Sequence, residues 1–113
     1  MDGNGRWAKQ RMFPRIQGHR MGVESVRVVV RVAGEIGVEC LTLYAFSQEN
    51  WSRPKTEVQA LMRLLENFLK NEIGELNENN VQLHAIGQIE DMPERVRRQL
   101  ELTQRATAGN TGL

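Results

Sequence analysis

Residues 40–46, Cys40-Leu41-Thr42-Leu43-Tyr44-Ala45-Phe46, decide how the rest of the chain is read. The run is apolar on both faces and bounded by polar residues, the pattern of a strand buried in a parallel sheet. Upstream, Val26, Val29, Val30, Ala33 and Ile36 follow a 3.6-residue stripe within residues 19–36, which end at Gly37 in the form of a helix C-cap. Val26 to Val32 has the β-branched composition of a strand, but the periodic stretch is longer than a strand of about 3–10 residues, so a helix is expected. A short glycine-punctuated helix start at 3–10 and a turn around Phe13-Pro14 precede it. Downstream, Val58, Leu61, Met62, Leu65, Phe68, Leu69 and Leu76 mark a helix over 55–79, with Thr56 and Gln59 spaced as a capping box after Pro54. Val81 to Ile86 reads as a second strand ending at Gly87, and Pro93 opens a helix running to about Ala108. This order predicts an α/β fold, a mostly parallel central sheet with flanking helices, although two strands are too few to complete one.

The chain has 113 residues, of which 40% are hydrophobic and 26% charged, which allows one domain at most. A mean hydropathy of −0.49 argues for a soluble globular chain, and no apolar run approaches the ~18 residues of a spanning helix. The start, Met1-Asp2-Gly3-Asn4-Gly5, has neither a basic nor an apolar stretch, so no signal peptide is expected. The single cysteine, Cys40, cannot form an internal disulfide and is expected as a small buried hydrophobe at the strand start, consistent with a reducing compartment.

Net charge is only +1, but it is unevenly distributed. Residues 1–31 hold Arg6, Lys9, Arg11, Arg15, Arg20, Arg27 and Arg31 against Asp2 and Glu24, and the remainder is acidic. Such a basic third suggests either an anionic partner or a solvated basic face. Twelve of the fifteen cations are arginine, whose planar fork suits phosphate oxygens.

Two polar segments could carry chemistry. Asp2-Gly3-Asn4-Gly5-Arg6-Trp7 opens a helix: its glycines permit close approach to an anion, Arg6 adds a cation, and Asp2 offers a hard oxygen ligand. A surface turn is the competing reading. Ser47-Gln48-Glu49-Asn50-Trp51-Ser52-Arg53 follows the expected strand and concentrates hydroxyl, carboxylate, amide, indole and guanidinium groups, or serves as a capping loop through Ser52 or Thr56. Arg15 and His19 flank Gly18 between them, placed to meet an anion or, for His19, to fill a structural role.

The stretches MDGNGRWAKQR, PRIQGHRMG, LTLYAFSQENWSRPKTEV and TAGNTGL, in this order, resemble the cis-prenyltransferase family, in particular the undecaprenyl diphosphate synthases of bacteria. The resemblance implies a cis-prenyltransferase-like α/β fold rather than the all-α fold of trans-prenyltransferases. It implies a Mg²⁺-dependent transferase that adds isopentenyl diphosphate in cis to an allylic, farnesyl diphosphate-like substrate, making a polyprenyl diphosphate carrier lipid for the cell wall. Asp2 is the implied Mg²⁺ ligand and catalytic aspartate, and Gly3, Asn4, Gly5 and Arg6 the implied diphosphate cradle, completed by Arg15 and His19. Trp7 and Trp51 match substrate-site positions, Ser47, Gln48, Glu49 and Arg53 match a mobile closing loop, and Asn50 holds the position tied to proton removal from isopentenyl diphosphate. An amide is a very weak base, so a diphosphate oxygen or water held by Asn50 is the easier proton acceptor. Leu41 to Phe46 and the stripe from Val58 to Leu69 are the expected walls of a prenyl tunnel.

The resemblance also implies that residues 1–113 are a single partial domain, the truncated N-terminal half of the family domain. The family places an apolar strand before its DGNGRW motif, where this chain has Met1, whose α-amino group is expected near Asp2. It continues past the position of Leu113 into the half that binds isopentenyl diphosphate, adds a metal-binding glutamate and makes most of a homodimer contact. Gln82 and Gln88 stand where an arginine and an aspartate are common. The isolated chain is therefore expected to be inactive. A cytoplasmic location is expected, peripheral at the inner membrane face, with no transmembrane segment and no nucleic-acid partner. The alternative is a non-catalytic diphosphate-binding or partner subunit of the same fold. Against it, Asp2, Arg6, His19, Asn50 and Arg53 are all present; six aromatic residues are few for base stacking.

Overall fold

A computed structural model describes residues 2–113. Four helices follow one another: α1 (Asn4–Gln10), α2 (Arg15–Glu35), α3 (Lys55–Glu78) and α4 (Glu94–Thr107), with 3₁₀ turns at Gln48–Ser52 and Ile89–Asp91. These match the expected helical segments, α2 beginning four residues earlier than its valine stripe suggests. Three helices end in the same way. At α2 the residue after the cap, Gly37, takes φ 83°, and Gly37 and Val38 return their N–H groups to the carbonyls of Gly34 and Ala33 at 3.3 and 2.9 Å. Asn80 (φ 58°) plays this part after α3 and Met12 (φ 59°) after α1. The helix starts are less well served: α3 follows Pro54 with no side-chain cap bond, so the capping box expected at Thr56 and Gln59 is not formed. The capping box lies instead at Ser47 and Asn50.

The parallel central sheet expected from residues 40–46 and 81–86 is not seen: no strand occurs among the described residues. A strand requires a ladder, and neither segment finds one. In the 81–86 run, side chains of α4 take the place of a neighbouring strand. Leu83 N–H donates to Thr107 Oγ1 at 3.1 Å and Ala85 N–H to Gln104 Oε1 at 2.9 Å. Gln82 N–H donates to the Leu113 backbone oxygen at 2.7 Å, and Gly112 N–H donates to the Asn80 carbonyl at 2.9 Å. The 40–46 run makes no inter-segment backbone bond among the described residues. Leu41 and Phe46 are half-buried, whereas Leu43 and Tyr44 are exposed, Tyr44 by 73%, and so is Cys40, against the expectation of burial.

What remains of the α/β layout is its helix direction. Pairs joining α2 to α3 run in step, from Arg15 with Glu57 to Arg27 with Glu72 and Arg31 with Glu75. Those joining α3 to α4 do the same, from Glu66 with Arg95 to Leu69 with Thr103, and on to Asn77 with Asn110 just beyond α4. Three long helices therefore point the same way, and the non-helical runs carry the chain back between them. The core forms where α3 meets α4, from Met62, Leu69, Val96 and Leu100, with Phe46, Val58, Leu65, Leu83, Ala85, Ile89 and Met92 packed against it. The α2 stripe is split: Val26 and Ala33 are buried, while Val29 and Ile36 join Met21, Val28 and Val32 as exposed apolar side chains.

Candidate functional site

Two glycines of the PRIQGHRMG stretch, Gly18 and Gly22, seat α1 on α2. A Cβ at Gly18 would lie 1.9 Å from the Asn4 carbonyl oxygen, and one at Gly22 would lie 2.7 Å from the Asn4 side-chain nitrogen. Only backbone without side chains permits so close a crossing. Gly5 serves differently: the Arg15 guanidinium lies across it, 2.8 Å from where a Cβ would stand. Gly3 takes φ 82° as the residue before α1, and its carbonyl accepts from Trp7 N–H at 2.9 Å.

Arg15 opens α2 and His19 lies one turn on, so both project from the same end of the helix. Across from them, Arg53 precedes Pro54 and Glu57 sits in the first turn of α3. One oxygen, Glu57 Oε1, receives all three: Arg53 Nη1 at 3.0 Å, Arg15 Nε at 3.3 Å and His19 Nε2 at 3.4 Å. The Glu57 side chain is 14% exposed, against 55% for Arg15 and 36% for Arg53. Burial alone would raise the Glu57 pKa, but hydrogen bonds from Arg53 and His19 and the charges of Arg15 and Arg53 outweigh it and hold the carboxylate below its ordinary range. The structure thus joins Gly5, Arg15, His19 and Arg53, drawn from three of the motif stretches. Glu57 was not among the sequence candidates. Its signal was the i, i+4 spacing from Arg53.

The other candidates lie apart from this cluster in their contacts. Asp2 is exposed; Oδ1 accepts from Gly3 N–H at 2.7 Å and Oδ2 meets Arg6 Nη2 at 3.4 Å. The expected neighbour of Asp2, the Met1 amino group, lies outside the described residues. Trp7 packs on Phe13 with centroids 6.2 Å apart, and the Arg11 guanidinium sits 4.2 Å over its ring. In the 47–53 segment, Asn50 Oδ1 accepts from Ser47 N–H at 2.8 Å and Ser47 Oγ at 3.1 Å, while Ser52 Oγ donates to the Glu49 carbonyl at 2.7 Å. Trp51 meets Phe46 edge-on with centroids 4.9 Å apart, and Gln48 and Glu49 are exposed. Not all of the basic N-terminal third faces outward, because Arg27 and Arg31 pair with Glu72 and Glu75 of α3.

Among the described residues no three metal-ligating side chains converge. Asp2, the metal ligand that the resemblance implies, has a solvent-facing carboxylate of the kind that could hold Mg²⁺ together with phosphate oxygens. Among the described residues no helix is long and apolar enough to cross a membrane. Taken together, the cluster sets two partly exposed guanidinium groups beside a half-buried carboxylate, an arrangement whose cations suit a polyphosphate anion.

The family model described as "Putative undecaprenyl diphosphate synthase" matches residues 1–113. The isoprenyl transferase of Clostridium tetani is 51% identical over all 113 residues and that of Agrobacterium fabrum 52%, covering 44% and 46% of those proteins. The ditrans,polycis-undecaprenyl-diphosphate synthase of Micrococcus luteus, described as (2E,6E)-farnesyl-diphosphate specific, is 50% identical over the same span, 45% of its length. The crystal structure of lavandulyl diphosphate synthase from Lavandula x intermedia in complex with dimethylallyl diphosphate superposes with a TM-score of 0.94 at 32% identity, over 100% of this chain and 49% of that one. The chain spans about half the length of the curated relatives it matches.

Proposed function

The chain belongs to the undecaprenyl diphosphate synthase family of prenyltransferases, and from that premise we propose that it forms the allylic-diphosphate side of a cis-isoprenyl transferase. The observation that carries this reading is the meeting of Arg15, His19 and Arg53 on one patch, from segments about 40 residues apart. The lavender enzyme was crystallised in complex with dimethylallyl diphosphate, an allylic diphosphate and so a member of the substrate class the patch suits.

In the proposed reaction an allylic diphosphate ionises, the double bond of isopentenyl diphosphate attacks the cation, and a proton leaves to give a cis alkene. Repetition builds a polyprenyl diphosphate carrier lipid. Arg15, Arg53 and, when protonated, His19 hold the leaving diphosphate by charge-assisted hydrogen bonds, with Arg6 contributing from α1. Asp2 would hold a Mg²⁺ ion, which when bound would supply charge neutralisation for the leaving diphosphate. Asn50 has its one side-chain acceptor already bonded to Ser47. Its role is therefore to hold and orient isopentenyl diphosphate through its amide N–H groups, with the proton passing to a diphosphate oxygen or water. Trp51, on Phe46, shields the reacting end from water together with Trp7, and Ser47, Gln48 and Glu49 line the closing segment. Gly3 and Asn4 shape the start of α1.

The apolar surface offered to the prenyl chain comes from Leu41 to Phe46 and from the part of the α3 stripe not used against α4. The parent enzyme acts as a homodimer in the cytoplasm at the inner membrane face, where its lipid product is released. This chain alone does not turn over, because it spans about half the length of the relatives.

Calorimetric titration of the chain with farnesyl diphosphate tests the reading. Saturable binding is expected, weakened about tenfold by Arg15→Ala through loss of one charge-assisted contact. Absence of binding would overturn the reading. Incorporation of radiolabelled isopentenyl diphosphate by the 113-residue chain would overturn the claim that it does not turn over. In a full-length parent carrying this sequence, Asp2→Ala is expected to abolish incorporation.

A further inference from the structure

The three cations of the proposed diphosphate patch share one carboxylate, and that geometry asks what the carboxylate does. Arg15 and Arg53 are permanently charged, and nothing in their own segments brings them together: Arg15 belongs to α2, and Arg53 ends the 47–53 segment. Two guanidiniums and an imidazole held this close repel one another, the more so when the imidazole is protonated. Glu57 offsets that repulsion by accepting from all three through Oε1.

Its position separates two roles. A carboxylate lying outward, in front of the cations, would compete with an incoming anion. Glu57 and His19 are each only 14% exposed, Glu57 in the first turn of α3, whereas Arg15 and Arg53 keep 55% and 36% of their side chains in solvent. A guanidinium has five N–H donors, and each of these two arginines uses one on Glu57. Among the described residues the other donors of both arginines make no side-chain hydrogen bond, which leaves them for an anion.

We infer that Glu57 is a positioning residue for the diphosphate site: it preassembles Arg15, His19 and Arg53 and ties the 47–53 segment to occupancy of the α2 cradle. The inference rests on the proposed diphosphate-binding reading. When an anion draws Arg15 and His19 toward itself, the shared oxygen passes the displacement to Arg53 and along the 3₁₀ turn to Trp51, two residues away. In this way the closing segment senses the first substrate through one carboxylate.

The test uses inorganic pyrophosphate as probe, with calorimetry for affinity, circular dichroism for helix content and the Trp51 indole N–H resonance for the segment. In the wild-type chain, pyrophosphate is expected to bind and to shift both the Gly18 amide and the Trp51 indole signals. Glu57→Gln removes a negative charge, which by simple electrostatics would tighten anion binding. The inference requires the opposite: about tenfold weaker binding with helix content unchanged, and a Trp51 signal that no longer follows pyrophosphate while Gly18 still does. Glu57→Asp keeps the charge but shortens the reach, and is expected to fall between the two. Equal or tighter binding by Glu57→Gln, or a Trp51 response as in wild type, would overturn the inference and leave the site reading intact. Should Glu57→Gln lose helix content, Glu57→Asp decides, and wild-type affinity with wild-type coupling in that variant also overturns it. No binding by the wild-type chain overturns the site reading, and this inference with it.

Discussion

The two faces of α3 are joined to the rest of the molecule by different physics. Toward α4 the contact is mainly apolar, centred on Met62, Leu69, Val96 and Leu100, with buried Thr103 and Thr107 bonded to backbone and side-chain partners and the Glu66–Arg95 pair at its edge. Toward α2 a row of ion pairs, Arg15 with Glu57, Arg27 with Glu72 and Arg31 with Glu75, runs beside a smaller apolar seam of Val26, Val30, Phe68 and Leu76, and α1 is added to α2 through glycine-to-backbone contact. An apolar contact responds to lost volume and ignores salt, whereas ion pairs respond to pH and to partner removal. The scaffold is on the first side, and the proposed diphosphate patch on the second. The site can therefore be loosened without melting the core.

Four measurements bear on this contrast. The largest effect is expected from Leu69→Ala, which empties a side chain that is 2% exposed at the centre of the α3–α4 contact. A loss of about 3 kcal/mol in chemical denaturation is predicted, insensitive to added salt. Glu72→Ala comes next. It leaves Arg27 without its buried partner, and a loss of about 2 kcal/mol is expected, below the usual range for buried pairs because Arg27 is partly exposed. If Glu72→Ala cost more than Leu69→Ala, the assignment of scaffold and site to opposite faces of α3 would be reversed.

Acid comes third. The Glu75 pKa is lowered by the hydrogen bond and charge of Arg31, and that of Glu57 by the balance described above, from an ordinary value of 4.5. Because the unfolded chain binds these protons first, their stabilisation is complete above pH 4.5 and fades as pH falls through the lower folded values. Hydrogen exchange is expected to quicken in α2 before α4 in that window; simultaneous loss would show that the two contacts are not separable. Arg27 and Arg31, with pKa values raised by bonds to Glu72 and Glu75, stay charged throughout. The smallest effect is a gain. Met12 is 94% exposed at φ 59°, so Met12→Gly removes left-handed strain, and a rise of about 0.5–1 kcal/mol is predicted by thermal denaturation.

The helices were legible because their signals are local. Gly37 ends α2 in the left-handed turn that its type suggests, and the Val58 to Leu76 stripe does mark the face of α3 that holds Met62 and Leu69. Of the candidate residues, Arg15, His19 and Arg53 stand together, while Glu57, which gathers them, carried only an i, i+4 spacing as its sign. Asn50 makes capping bonds to Ser47, a contact its sequence position did not reveal.

The stretch from Cys40 to Phe46 marks the boundary between the two kinds of knowledge. Sequence alone determined that this chain has four helical segments, a concentration of cations near its start and the motifs of a prenyltransferase, because periodicity and side-chain chemistry are properties of neighbours in sequence. Whether 40–46 and 81–86 became strands depended on what lay beside them. Leu83 and Ala85 met hydroxyl and amide groups of α4, residues 40–46 met no ladder partner, and Tyr44 and Leu43 were left to solvent. A strand is a relation between segments, as is a cation cluster built on one shared carboxylate, and only the tertiary structure supplies relations.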